Sequence, residues 1–454
     1  MLKNSPKKQQ LNLFCSPLSQ MLDMNDPLIA LADAIDWQIY EDNFEKYYSK
    51  DGRPAKPIRL MVGILLLKQI ENLSDENVVL QWKRNPYYQY FCGFDELQTV
   101  EPCHSTDLVY FRKRIGVEGM KLIFKVSVDL HGDAKEEKQV IVDTTVQENN
   151  ITYPTDGKLA IKIINHLHKI AKEEKLQLRR TYMKEIKGHR ISLRFFRHPR
   201  KIKKARSAMK RLKTIAKTLM RDMDRQFTDE QHKKYAEAFY LYMRILLQTK
   251  ESKNKIYSLH EPHAYAVGKG KDHKKWEYGT KASLVTTKNG GVIVGVASHE
   301  KNEHDSKTLE AALTSAQSNR NKPIQEAICD RGYQGKKEVL GVTISIPGKV
   351  LKRDTKYQKE VKREKFRRRA AIEPIIGHVK SDHRMARNYL KGFIGDQVNL
   401  LLAASAFNMK KWMNNFIQLI ILLRIAVLLY MIIQQKKQKR EKCLQIFLLL
   451  LKLW

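Results

Sequence analysis

From Ile58 to Ile70, apolar residues recur at helical spacing through Ile58, Met61, Ile64, Leu65 and Ile70, which predicts a helix. Ser74 then offers an N-cap, with Asp75 and Glu76 placed for the first turn. The next helix carries Val78, Val79 and Trp82 and has to stop near Pro86. Two helices across a short turn, followed by Lys83 and Arg84, allow two readings: a helix-turn-helix DNA reader or an ordinary helical hairpin. Upstream, residues to about Pro57 read as partly helical, punctuated by Pro27, Pro54 and Pro57. His104-Ser105-Thr106-Asp107 opens a further helix through Phe111 and Ile115, with Ser105 or Thr106 as the expected cap.

The period changes at Lys138–Thr145. Val140, Ile141 and Val142 form a continuous apolar run, as in a strand buried on both faces. Asp143 interrupts it, and an ionised carboxylate in a central strand is costly unless a cation pairs with it. Lys158 to Arg225 is helical again, and the helical pattern resumes from Asp229 to Leu247. Tyr278–Thr287 and Val292–Ser298 flank Lys288-Asn289-Gly290-Gly291, a strong hairpin signal. A helix follows near Ser306–Ser318. Ala327, Ile328, Cys329 and Asp330 then make a short buried strand with an acid at its carboxyl end, where sites form in α/β folds. Val342–Ile346 is one more strand, stopped by Pro347 and Gly348. A long helix holds Glu373, with a kink or restart expected at Pro374. Phe416–Ile433 is nearly all apolar, and Cys443–Trp454 is apolar again. Arg424 inside that run costs roughly 2.5–3.5 kcal/mol on insertion scales. The tail is therefore read as a helix packed on the core with an irregular extension, rather than as a membrane span.

Charge sharpens this picture. Among 454 residues, 84 Lys+Arg stand against 49 Asp+Glu, a net +35. Self-repulsion of that size suits a polyanionic partner, nucleic acid first and an anionic membrane surface second. About half of the excess lies in Lys158–Arg225, with 23 Lys+Arg against 5 Asp+Glu, net +18. There Lys201, Lys203, Lys204 and Arg206 mix with Phe195 and Phe196. Such a stretch either stacks on bases and tracks phosphates or is a solvated face over a small core. Five scattered cysteines with no CxxC exclude a zinc module and point to a reducing compartment. The basic, then polar N-terminus has no apolar run of the signal-peptide kind.

The chemistry gathers around Phe366–Lys380. Glu373 is a lone acid there, with Arg369 four positions before it and Lys380 seven after it; those offsets place all three on one helical face. With Asp143 and Asp330, it makes two strand aspartates and one helix glutamate. A mixed sheet that joined these three acids would hold two Mg²⁺ ions about 4 Å apart. Such a pair activates a water or a 3′-hydroxyl for in-line displacement at phosphorus.

These residues resemble a known family. VDTTVQENNITYPTDGKL from Val142, YSLHEPHAYAVGKGK from Tyr257, NEHDSKTLE from Asn302 and CDRGYQG from Cys329 occur in order. They are followed by RRRAAIEPIIGHVKSDHRMARNYLKGFIGDQVNLLLAASAFNMKK from Arg367. Over about residues 20 to 412 the chain looks like a bacterial insertion-sequence transposase with a DDE triad, of the large insertion-sequence-five type. The resemblance implies an α/β, ribonuclease-H-like mixed sheet flanked by helices. It also implies a helical N-terminal DNA-binding domain (1–135), a catalytic domain (136–414) with a basic helical insertion (158–250), and a tail (415–454). Asp143, Asp330 and Glu373 would be catalytic acids and ligands of two Mg²⁺ ions, with Mn²⁺ as a substitute. Arg369 and Lys380 would contact DNA beside the cleaved phosphate. The partners implied are double-stranded DNA, both terminal inverted repeats and target, and further copies of the chain in a homo-oligomer on DNA. The cell compartment implied is the nucleoid-bearing cytoplasm. The alternatives are a transposase remnant that binds DNA without cutting it and, resting on the tail alone, a membrane-associated basic protein. The tail past about Asn414 departs from the family's pattern.

Overall fold

The structure is a computed structural model that describes residues 16–49, 51, 54–268, 275–346, 348 and 351–452. The N-terminal fifteen residues, Pro347 and the Lys269–Lys271 end of one quoted motif lie outside the described residues.

Eight strands form one mixed sheet: β1 (Gln139–Asn149), β2 (Tyr265–Gly268), β3 (Trp276–Thr287), β4 (Ile293–His299), β5 (Glu326–Ile328), β6 (Glu338–Val339), β7 (Val342–Ser345) and β8 (Arg387–Asn388). The path runs β2-β3-β1-β5-β7-β6, with β4 on β3 and β8 on β1. The apolar run of β1 is buried as its composition predicts, with Val140, Ile141 and Val142 at 0–1% exposure. β1 pairs antiparallel with β3 from Val140↔Thr287 to Glu148↔Gly279. At Gly279 the backbones come so close that a Cβ would lie 1.9 Å from the Gln147 carbonyl oxygen, so only glycine fits. β3 and β4 form the hairpin expected around Asn289-Gly290.

The N-terminal helices do not stand apart from this sheet. One continuous core joins Ile58–Ile70, Ser105–Asp129, the sheet and Val398–Met413 of the final helix. The Ile58–Ile70 helix is buried on nearly all sides, Lys68 and Gln69 included. Lys68 lies 2.8 Å from Asp75, which also takes the Arg112 guanidinium through both oxygens. Burial, then the Arg112 charge, pushes the Lys68 amine down to about 8. Burial alone would raise the Asp75 carboxyl, but Arg112 and Lys68 outweigh it and hold it low. Removing Asp75 would strand two buried cations at a cost of about 3–5 kcal/mol.

Several expectations are corrected in detail. Ser74 caps as expected, accepting from the Asn77 N–H. At the helix Ser105–Asp129, however, His104 is the cap, in a reciprocal box with Asp107, because its Nδ1 reaches the Thr106 N–H. The helix before Glu373 ends at Ala370 and the next runs Ile372–Ser381, so the restart falls two residues ahead of Pro374. The expected irregular extension is instead helix: Gly392–Lys452 is continuous. No Gly or Pro occurs after Gly395 to stop it. The expected packing of the apolar run on the core is corrected too: this helix is buried to about Met413, but from Ile417 to Met431 it is mostly exposed. By length and composition it is the one helix among the described residues that could cross a membrane.

The basic insertion has its own core. Its helices Asp156–Glu173, Met183–Ser192, Ile202–Asp224 and Asp229–Leu247 pack Leu159, Ile163, Leu212, Ile215, Leu219 and Ile245 together, separate from the sheet. Thr155 and Thr228 cap the first and last of these helices. The excursion leaves after β1 and returns before β2. Its two ends meet where the His260 ring Nε2 lies 3.3 Å from the Asn150 carbonyl oxygen, 110 positions away.

Candidate active site

β5 runs parallel to β1, and their last pair is Ile141↔Ile328. Asp143 lies two residues further along β1, and Asp330 two residues past Ile328, in the turn that follows β5. β5 ends at Ile328, and that edge of β1 regains a partner only at Glu148, where β8 pairs with it. The two aspartates thus stand at the start of an opening in the sheet. Backbone amides fix both carboxylates. Asp143 Oδ1 accepts from the Thr144 N–H at 2.7 Å and Asp330 Oδ1 from the Gly332 N–H at 2.8 Å. Between them the buried Cys329 thiol is pushed up to about 12, first by burial and then by the Asp330 and Asp143 charges. One thiol therefore feels both acids.

Three further residues complete this corner, and the sequence did not single them out. The buried Tyr333 hydroxyl contacts Thr144 Oγ1, tying the loop after Asp330 to the residue after Asp143. Burial, followed by the Asp143 and Asp305 charges among others, pushes that phenol well above its usual range. A Cβ on Gly332 would lie 3.0 Å from Asp330 Oδ1 and 3.1 Å from Asp305 Oδ2. Asp305 opens the helix Asp305–Ser318 and pairs with Lys281 of β3 at 3.0 Å. The motif NEHDSKTLE contains Asp305, but nothing in its spacing says that it reaches the Asp330 loop.

Glu373 is placed differently. Its helix, Ile372–Ser381, packs against β1, yet its side chain is 59% exposed and bound to Arg369 at 2.7 Å. The expected Arg369–Glu373 neighbourhood is therefore present, while Lys380 lies two turns on in the same helix. No group of three His, Cys, Asp or Glu side chains among the described residues is close enough to hold a metal ion. The expected three-acid cluster is not assembled among the described residues: Asp143 and Asp330 both act on the Cys329 thiol, and the third acid is held by a cation. Uncompensated carboxylates repel, and Arg369 offers the third a partner. The donors suit a hard divalent cation nonetheless, being carboxylate oxygens. Lys201, Lys203, Lys204 and Arg206 are all exposed at the start of the insertion helix Ile202–Asp224, Lys201 with its amine over the Phe195 ring.

A buried polar knot fixes the far end of β1. Asp396, fully buried in the final helix, accepts from Asn149 Nδ2 at 2.8 Å, Asn388 Nδ2 at 2.7 Å and His263 Nε2 at 2.9 Å. The Asp396 hydrogen bond is the main cause raising the His263 pKa.

Residues 16–114 match a family model described as a transposase domain, and residues 247–409 match one described as a transposase DDE domain. Asp330 and Glu373 lie within the second match, and Asp143 lies between the two. A Rhizobium meliloti protein named as uncharacterized protein ORF8 in the nfe locus is 37% identical over 205 residues, 44% of this chain and 99% of that protein. No solved structure matches. With its two transposase matches in order along the chain, this protein belongs to the DDE transposases of insertion sequences.

Proposed function

We propose that the chain is a metal-dependent transposase of the large insertion-sequence-five type with a ribonuclease-H-like catalytic sheet. It cuts DNA at its element's terminal inverted repeats and joins the freed 3′-hydroxyl to target DNA. The observation that carries this reading is that Asp143 and Asp330 each follow the last β1–β5 pair by two residues, beside the opening along β1, and both act on the Cys329 thiol. Residues 1–135 engage DNA, 136–414 carry the catalysis, and copies of the chain assemble on DNA at the nucleoid.

Asp143 and Asp330 would hold Mg²⁺ with Glu373 as the third carboxylate. Bound there, such ions lower the pKa of an attacking water or 3′-hydroxyl and offset charge on the leaving oxygen. The protein's own part is positioning. Gly332 N–H and Thr144 N–H aim one oxygen of each aspartate, and Tyr333 locks the two loops together. Arg369 exchanges Glu373 for a phosphate oxygen when DNA enters, and Lys380 adds a second cation at the same backbone. Lys201, Lys203, Lys204 and Arg206 bind phosphates further along the duplex.

The test is cleavage and strand transfer on a duplex carrying the element's ends, with Mg²⁺, Mn²⁺ or Ca²⁺. Mg²⁺ and Mn²⁺ should support both steps, and Ca²⁺ should support end binding better than cutting. End binding with no cutting under any of these ions would identify the remnant that only binds DNA.

A further inference from the structure

The helix Lys356–Ala370, which leads into the Glu373 helix, has no buried residue among those described. Helices ordinarily attach to a protein through an apolar stripe. This one has sorted its cations between two faces instead. On the side toward the sheet stand Lys359, Lys362, Lys365 and Arg369, three or four positions apart, and each is tied down. Lys359 donates to the Lys352 carbonyl at 3.4 Å, and Lys362 pairs with Asp354 at 2.8 Å. Lys365 reaches Glu326 of β5 and Ser345 of β7, both at 3.0 Å, and Arg369 holds Glu373. The outward side carries Lys356, Arg363, Arg367 and Arg368, all exposed, with Tyr357 beside them at 76% exposure. Glu360 and Glu364 share that side. Yet among the described residues no acid lies within ion-pair distance of any of the four outward cations.

We propose that this outward face, centred on Arg363, Arg367 and Arg368, is a contact surface for the phosphate backbone of duplex DNA, delivering it to the Glu373 end of the site. The inference rests on the transposase reading and adds a binding surface to it, separate from the insertion. Three features carry it. Lys365 ties the helix to β5 and β7, and the other inner cations tie it to the loop before it and to Glu373, so the outer ones are held out on a braced rod. Arginine forks match phosphate oxygens, whereas a merely solvated face has no need of them. Arg367 precedes Glu373 by six residues, about 9 Å at the helical rise, with a short break at Ala371 between them, so the outward arginines end next to the helix that carries Glu373.

The test compares the full-length chain with a triple variant, Arg363→Gln, Arg367→Gln and Arg368→Gln, and with its Arg→Lys counterpart. Affinity for an element-end duplex and for an unrelated duplex is measured across salt, with thermal melting followed in parallel. Each lost phosphate contact lowers the slope of log K against log salt by about 0.9, so the Gln variant should lose up to about 2.7 for both duplexes. Melting should stay unchanged, because none of the three is buried, and the Lys variant should keep the slope. A Gln variant with unaltered affinity and slope, beside an unaltered protein that binds, overturns this inference and leaves the transposase reading standing. Loss of slope in the Lys variant as well overturns it, because charge would then not be what matters. Preference of the same face for anionic vesicles over duplex DNA also overturns it. An unaltered protein that binds no duplex removes both readings together.

Discussion

The two halves of the candidate site are built by different means. Asp143 is set by strand register, Asp330 by the turn that caps the end of β5, and a backbone amide holds each carboxylate, so moving Asp143 requires unpairing part of the sheet. Glu373 is 59% exposed on a helix and held by one arginine. An exposed ion pair of this kind is worth only about 0.2–1 kcal/mol. On the mechanism proposed above, the half that gives way when substrate arrives is the helix: the other two acids stay, and Glu373 is recruited once a phosphate takes Arg369. A third fixed carboxylate beside the other two would add repulsion to every state without a cation.

The largest expected effect tests whether both halves belong to one site. Asp143→Ala, Asp330→Ala and Glu373→Ala should each lower end cleavage about 1000-fold or more while end binding survives. Strand transfer retained by Glu373→Ala would break the comparison and put another acid, with Asp305 nearest to hand, in its place.

The next effect separates the halves by pH. His299 is buried in β4 against Ser283 of β3 at 2.8 Å, and burial pushes its pKa down to about 4. The folded state therefore binds fewer protons than the unfolded one between pH 6.5 and 4. The stability it contributes is complete above 6.5 and is lost as pH falls toward 4, by roughly 3 kcal/mol in all. Hydrogen exchange in β3 and β4 should accelerate over that window, and His299→Gln should flatten the response. Equal acceleration in the Glu373 helix would mean that the halves are not mechanically distinct.

A smaller change probes the lock on the sheet half. Tyr333→Phe removes the hydroxyl that holds Thr144, and about a 10–100-fold fall in cleavage with a raised Mg²⁺ requirement is expected. A fall in cleavage with an unchanged Mg²⁺ requirement would assign Tyr333 to substrate contact instead. The smallest effect concerns the helix half: Glu373→Gln should shift thermal stability by no more than about 1 kcal/mol. A larger loss would show that Glu373 is structural.

What was readable in the sequence follows the reach of the interactions. The apolar run before Asp143, the Asn-Gly hairpin, the Ser74 cap and the strand before Asp330 are local patterns, and each element formed where its pattern lies. The placement of Glu373 beside Arg369 was also legible, because i,i+4 geometry is local. That Asp143 and Asp330 belong near one another was expected from their places after short apolar runs and from the resemblance, but the β1–β5 register behind it is set between segments far apart in the chain. The Asp396 knot was not legible at all. Its partners Asn149 and His263 lie 247 and 133 positions away, and a polar residue in an apolar helix looks the same whether it faces solvent or a partner. In the Ile58–Ile70 helix the apolar period was legible, but the burial of Lys68 was not, because it depends on pairing with Asp75 outside that helix.

The contact between His260 and Asn150 has a consequence for how the chain can change over time. It pinches the insertion shut at its base, so the sheet experiences only a closed loop and not what the loop contains. Closing a loop costs a term that grows with the logarithm of its length, about 0.6 kcal/mol for each doubling. Shortening or lengthening the excursion is therefore almost without penalty for β1 and β3, provided that the excursion folds on its own core. At that pinch the molecule tolerates rewriting by deletion, duplication or exchange, and the reach of its basic arm can be altered while the acids stay where they are.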